Sequence, residues 1–192
     1  MTNNRADDER FEREALCWLP DVTRFALSLA RNETDADDLV QETFLIAYER
    51  WNQYVPGSEC RAWLFTICRN HFYRSSARAQ RMVPVDAPEI EALAAAALHA
   101  SAHSGGLAES FESTEVLRAV ESAISELPPS FRDVALLVDV HDHTYDSASA
   151  VLGVPVGTVR SRLFRARRLL QEKLLAHARD AGIGPRSTTP GN

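Results

Sequence analysis

No apolar run in this 192-residue chain approaches the roughly 18 residues that a membrane-spanning helix needs. The longest candidate, Ala92 to Leu98, is mostly alanine. The opening Met-Thr-Asn-Asn-Arg leads into charged residues rather than an apolar signal core, so a cytoplasmic location with no membrane insertion is expected. Cysteine is scarce. Cys17, Cys60 and Cys68 form an odd set without a CxxC pair, which argues against a disulfide scaffold or a zinc ribbon and for reduced thiols. Motifs of catalysis are missing too: there is no phosphate loop, no GxSxG and no Cys/His nucleophile pattern. The chain is therefore not expected to be an enzyme or to hold a cofactor. His99/His103 and His141/His143 lack a third ligand at metal spacing, and both pairs fall in segments that read as linker or loop. They are expected to be solvent-exposed histidines, with no metal.

What is present is charge in blocks. The net charge of −6 argues against nucleic acid only as an average. Residues 33–42 carry Glu33, Asp35, Asp37, Asp38 and Glu42 with no base, while residues 60–81 carry Arg61, Arg69, Arg74, Arg78 and Arg81 with no acid. Residues 82–149 hold twelve acids against Arg118 and Arg132. Residues 156–173 then set Arg160, Arg162, Arg165, Arg167, Arg168 and Lys173 against Glu172. Two basic blocks separated by acidic ones suggest two nucleic-acid contacts. Of 21 basic residues only Lys173 is lysine. Arginine favours bidentate contacts with phosphate and guanine, although genomic base composition gives the same bias.

Where hydrophobic periodicity is present it is helical, and no segment alternates as a strand does. Residues 1–10 are polar and expected to fray. A first helix spans about Phe11 to Ala30, with Pro20 as a kink or break. Thr34 to Asp37 resembles a capping box opening a helix with the stripe Val40, Phe44, Ala47, Trp51. A loop follows, marked by Pro56-Gly57-Ser58, and then a helix from Arg61 to Arg78. Pattern fails over 82–112, which reads as a flexible linker with a short helix at 89–98. Beyond it, one helical stripe ends at Pro128-Pro129 and a second carries Phe131, Val134, Ala135 and Val138. Thr144 can cap a short helix, Tyr145 to Leu152, closed by Gly153. The last helix runs from about Gly157 to Ala178, burying Val159, Leu163 and Ala166. The expected architecture is all-α: two small helical domains, 11–81 and 113–178, joined by 82–112, with a helix-turn-helix in the second.

A short helix, a glycine-containing turn and a basic second helix suit insertion into a DNA major groove. Arg160, Ser161, Phe164 and Arg165 lie on or near its open side, with Thr158, Arg162, Arg167 and Arg168 better placed for phosphates. An amphipathic basic helix for a membrane or an acidic partner is the lesser alternative. Over 35–81, aromatic residues lie among arginines, as single-stranded nucleic acid requires. Trp51 and Trp63 sit on apolar stripes and are assigned to core. Tyr54, in the loop, is the best base-contact candidate.

Three stretches together resemble a bacterial extracytoplasmic-function (ECF) sigma factor. They are Asp35-Ala36-Asp37-Asp38-Leu39-Val40-Gln41-Glu42-Thr43-Phe44, then Arg61-Ala62-Trp63-Leu64, then Pro155-Val156-Gly157-Thr158-Val159-Arg160-Ser161-Arg162-Leu163-Phe164-Arg165-Ala166-Arg167. The resemblance implies that Asp35, Asp38, Gln41 and Glu42 dock on the β′ clamp helices of core RNA polymerase, with the β flap as a further contact. It implies that Tyr54, Ser58, Trp63, Arg69 and Asn70 open and hold the −10 element of promoter DNA. Arg160, Ser161, Phe164 and Arg165 would read −35 bases while Thr158, Arg162 and Arg167 hold the backbone. An anti-sigma factor is implied as a further partner. The first helix departs from the family pattern: Ala148 stands where a large apolar residue is usual, so looser packing is expected there. A free-standing helix-turn-helix regulator is the alternative function, but it leaves the block at 35–81 without a task.

Overall fold

A computed structural model describes residues 5–30, 32–81 and 113–180. All regular structure among them is helical. They fall into two compact units, one built from 5–30, 32–81 and 136–159, the other from 113–135 and 160–180. The linker reading of 82–112, its short helix and His99/His103 lie outside the described residues.

In the first unit α1 spans Arg5–Glu14. The expectation that residues 1–10 fray is corrected for 5–10, which are helical; residues 1–4 are not described. Tertiary contacts order them. Tyr48 donates to Asp8 Oδ1 at 2.8 Å, the Arg10 guanidinium sits 5.0 Å over the Trp51 ring, and Phe11 meets Tyr48 and Trp51 edge-on. A 3-10 turn, Leu16–Trp18, separates α1 from α2, Leu19–Ala30. Pro20 is the second residue of α2. It starts the helix rather than bending it, because the first-turn N–H it lacks would have had no helical partner.

α3 spans Glu33–Glu49, and its cap corrects the sequence reading. Asn32, not Thr34, is the N-cap: its Oδ1 accepts from Asp35 N at 2.8 Å and its Nδ2 donates to Asp35 Oδ2 at 2.8 Å. The same reciprocal logic applies two residues earlier, with asparagine in the place of threonine. Ala36, Leu39, Val40, Thr43 and Ala47 form the buried stripe. Phe44 is only half-buried; Thr43 takes the inner position by donating its hydroxyl to Leu39 O at 2.6 Å. A 3-10 turn, Trp51–Gln53, leads by a loop into α4, Cys60–Arg81. α2, α3 and α4 pack together, with Phe25 stacked on Phe65 at 4.4 Å. Burial pushes the thiols of Cys60 and Cys68 up to about 11 and about 12, so both are poor nucleophiles, as expected of structural cysteines.

The second unit holds α5, Ser113–Ser125, and α6, Pro129–Ala135. Pro129 is the first residue of α6, again where a missing N–H is harmless. Leu127, Phe131, Val134 and Ala135 are buried. Lys173 donates to Glu126 at 2.6 Å, which holds that carboxyl below its usual range.

Leu136–Val140 follow α6 as a π-helical turn, and α7, Tyr145–Leu152, packs on α4 in the first unit. The capping of α7 matches the sequence reading. Thr144 Oγ1 accepts from Ser147 N at 3.1 Å, and Gly153 closes the helix at φ 65°. Ala148 is wholly buried, its small side chain setting no bulk between α7 and its neighbours. An added Cβ at Gly153 would meet nothing within 4 Å, so the left-handed backbone alone opposes substitution. Gly153→Ala is therefore expected to cost about 1 kcal/mol, read as a lower urea midpoint at unchanged slope. α8 spans Val156–Asp180.

Candidate nucleic-acid and partner interfaces

α8 carries the first surface. Val159, Leu163 and Ala166 are buried at helical spacing, which turns the opposite side of the helix outward. Arg160, Ser161, Phe164, Arg165 and Arg167 are exposed, and Thr158 and Arg162 are half-buried. At about 100° per residue, Arg160, Phe164, Ser161 and Arg165 share one outward arc, while Thr158, Arg162 and Arg167 lie along its edges. Phe164 is 71% exposed, a large apolar cost in water that a partner surface would remove. Arg168 also falls on the outward arc, its Nε 3.3 Å from Glu172. The turn before the helix is rigid: Gly153 N donates to Ser149 O at 2.9 Å and the Ser149 hydroxyl donates to Val154 O.

α4 and the loop before it carry the second surface. Ser58 and Asn70 are exposed, while Trp63 and Arg69 are half-buried. Trp63, Asn70 and Arg74 fall on one side of α4, and the Arg69 guanidinium lies 5.0 Å over Tyr73. The assignment of Trp63 to core is corrected to a half-buried edge position. Tyr54 requires a larger correction. It is no projecting loop aromatic: the side chain is 6% exposed, stacked on Trp51 at 4.7 Å and tilted against Trp63 at 5.3 Å. Its hydroxyl donates to Ser58 O at 2.8 Å. The reason is the turn Trp51–Gln53, which folds the loop back onto the ring of Trp51. Val55, at 66% exposed, is the apolar side chain that the loop does project. Tyr54→Ala is expected to destabilise the fold by about 3 kcal/mol through the lost aromatic packing, whereas Tyr54→Phe should cost about 1 kcal/mol for the hydrogen bond. Thermal denaturation of both variants reads the difference.

α3 carries the third surface. Asp35, Asp38, Gln41 and Glu42 are all exposed along one arc of the helix. Leu45 lies in the middle of that arc at 52% exposed, and sequence reasoning missed it. Its spacing, seven residues after Asp38 and three after Glu42, was the available signal. Beside the acids a cleft of about 380 Å³ opens toward α4, where His71, Phe72, Ser75 and Ser76 form its other wall. An exposed leucine among carboxylates fits a helical partner with an apolar seam and basic flanks.

The described residues contain no cluster of three His, Cys, Asp or Glu side chains fit to hold a metal. His141 and His143 are nevertheless not the exposed loop histidines expected. They are 6% and 5% exposed, because the π-helical turn folds them onto Phe25 and Phe65. No described helix is long and apolar enough to cross a membrane.

Comparisons with known proteins identify the family. Residues 16–82 match the family Sigma-70 region 2, and residues 117–170 match Sigma-70, region 4. The chain is 35% identical to the ECF RNA polymerase sigma factor EcfG of Rhodopseudomonas palustris, over 98% of this chain and 94% of that one. It is similar to the sigma factor RpoE of Bartonella quintana, solved in complex with the anti-sigma factor NepR. There the TM-score is 0.66 and the identity 30%, covering 87% of this chain and 98% of that one. A structure of CnrH in complex with the cytosolic domain of CnrY gives a TM-score of 0.58 at 28% identity, covering 91% of each chain.

Proposed function

The chain belongs to the ECF family of RNA polymerase sigma factors, and on that premise we propose how its surfaces divide the family's task. The protein binds core RNA polymerase and directs promoter-specific initiation of transcription. The observation that carries this reading is the presence, in one chain, of an acidic docking face on α3 and an arginine-rich reading face on α8. A free-standing regulator would need only the second.

In this assignment Asp35, Asp38, Gln41 and Glu42, with Leu45 among them, receive the basic β′ clamp helices. The β flap engages the C-terminal half. Ser58, Trp63, Arg69 and Asn70 face the separated −10 strand, and Tyr54 braces the loop from beneath. Arg160, Ser161, Phe164 and Arg165 read −35 bases; Thr158, Arg162 and Arg167 hold phosphates. The domain limits follow the same division: 11–81 for docking and −10 opening, 82–112 as linker, 113–178 for −35 recognition. Sigma factors are not enzymes, and this chain supplies specificity while the polymerase supplies catalysis. An anti-sigma factor, the kind of partner bound to the similar sigma factor RpoE, acts on this chain as well. The site of action is the cytoplasm.

With a net charge of −6 and short basic blocks, the free protein cannot hold a promoter by charge alone. Alone at physiological salt it is expected to give no sequence-specific footprint. Added to core polymerase, it should direct run-off transcription from a distinct subset of a promoter library. Nanomolar, sequence-specific protection by the free protein would overturn the assignment in favour of the regulator.

A further inference from the structure

Two buried histidines stand outside every role assigned above. His141 lies edge-on to Phe25 at 5.3 Å and to Phe65 at 5.7 Å, and its Nε2 is 3.1 Å from Ser28 Oγ. His143 lies 4.6 Å from the Phe65 ring, with Nδ1 2.7 Å from Ser147 Oγ. Its Nε2 is buried with no hydrogen-bond partner among the described residues. Arg61 clamps the segment from α4, its Nη2 donating to His141 O at 2.6 Å. Between the two rings Asp142 takes φ 52°, a left-handed backbone that aspartate adopts more readily than most L residues. Both ends of this short segment are thus anchored by imidazoles, and α7 begins two residues after His143.

We propose that the His141–His143 segment is a proton-sensitive latch that ties to α2 and keeps α7 seated on α4. The seat accepts only neutral rings. An imidazolium at His143 would carry its charge and a second N–H into a site where Nε2 has no acceptor. The charges facing the pair do not compensate it. Arg61 comes from α4, Arg24 and Asp21 from α2, and Asp142 from the segment itself. Asp21 is paired with Arg24 and lies 3.3 Å from Arg61 Nε, so its favourable field at the rings is offset by the two guanidinium charges beside it. Asp142 is exposed and screened by solvent.

Burial, and then the Arg61 charge, hold both imidazoles down to about 4, below the ordinary 6.5. A lowered value means that the neutral form is the one bound. The latch is therefore at full strength above pH 6.5 and weakens as pH falls toward 4. At pH 5.5 each ring contributes about a tenfold loss in the closed-to-open ratio relative to pH 7.5. While closed, α7 occupies part of α4, the helix that also carries Trp63, Arg69 and Asn70. The latch itself does not depend on the sigma-factor assignment; only the consequence for −10 contacts does.

Hydrogen exchange on the full-length protein tests it without polymerase or DNA. Protection factors of the α7 amides, corrected for intrinsic rates, are compared at pH 7.5 and 5.5, with the α3 amides as internal reference. Wild type should lose between tenfold and a hundredfold in α7 while α3 changes less than threefold. The double variant His141→Phe, His143→Phe keeps both aromatic anchors but cannot take up a proton, and its α7 protection should change less than threefold. Equal losses in wild type and variant, or no loss in wild type, would overturn the latch. Should the variant fail to fold, NMR titration of the two wild-type imidazoles decides instead. Midpoints below 5 support the latch, and midpoints near 6.5 refute it.

Discussion

Asp38→Arg with Glu42→Arg is expected to abolish binding to core polymerase, lowering affinity by at least about a thousandfold. Both carboxylates are exposed on the outward arc of α3 and brace nothing in the core, whose contacts come from Ala36, Leu39, Val40, Thr43 and Ala47. Reversal therefore acts on the partner and not on the fold. It sets two cations against a basic surface, and like-charge juxtaposition across an interface costs several kcal/mol. A cost of about 4 kcal/mol corresponds to that thousandfold change. Arginine is a good helix former, so helicity should stay within a few per cent of wild type. Leu45→Ala is the graded companion. It removes an apolar contact without changing charge and should weaken binding about tenfold, independently of salt, whereas the charge reversals should be salt-sensitive. Calorimetric titration with core polymerase at two ionic strengths, beside far-ultraviolet circular dichroism, reads both variants. Unchanged affinity at normal helicity in the double reversal would remove α3 as the docking face.

Arg165→Ala is expected to change which −35 sequences the holoenzyme uses, whereas Arg167→Ala should weaken all promoters by a common factor. The contrast comes from the buried side of α8. With Val159, Leu163 and Ala166 wholly or almost wholly enclosed, Arg165 falls on the outward arc and Arg167 at its edge. One bidentate arginine–guanine contact is worth about 1–3 kcal/mol of discrimination, roughly 5- to 150-fold between the right base and the wrong one. A phosphate contact carries affinity without sequence information, and its loss should lower the salt dependence by about one charge. Activity of both variants on a library varied only at the −35 element, at two salt concentrations, separates the roles. A uniform loss across the library for Arg165→Ala would take base reading away from it.

Several features followed from residues that are neighbours along the chain. α7 and its caps Thr144 and Gly153, the turn into α8 and the buried positions Val159, Leu163 and Ala166 were all legible, because capping and helical periodicity act over three or four residues. The N-terminus of α3 was legible in kind but displaced by two residues. Asn32 and Thr34 are both competent caps, and in the structure Asn32 caps, bonded to Asp35 through both its Oδ1 and its Nδ2. The exposed acids of α3 and arginines of α8 were legible for the same local reason: the apolar stripe of each helix faces inward and dictates what remains outside.

Order in α1, the burial of Tyr54 and the seat of the two histidines were decided by tertiary structure. Asp8 reaches Tyr48 across 40 residues, and His141 reaches Ser28 across 113. Tyr54 is near Trp51 in sequence, but its stacking depends on a 3-10 turn and on Trp63 from the next helix. No local pattern marks such contacts, because an aromatic or an imidazole in a loop is equally compatible with solvent and with a packed neighbour until the fold supplies one. Capping, periodicity and charge pattern along the chain are enough to specify helical structure, the helix-turn-helix, and the charge each surface presents. The tertiary structure decided which loop side chains are withheld from solvent. That decision rests on burial against distant apolar rings, which stabilises a neutral or aromatic side chain only where those rings converge.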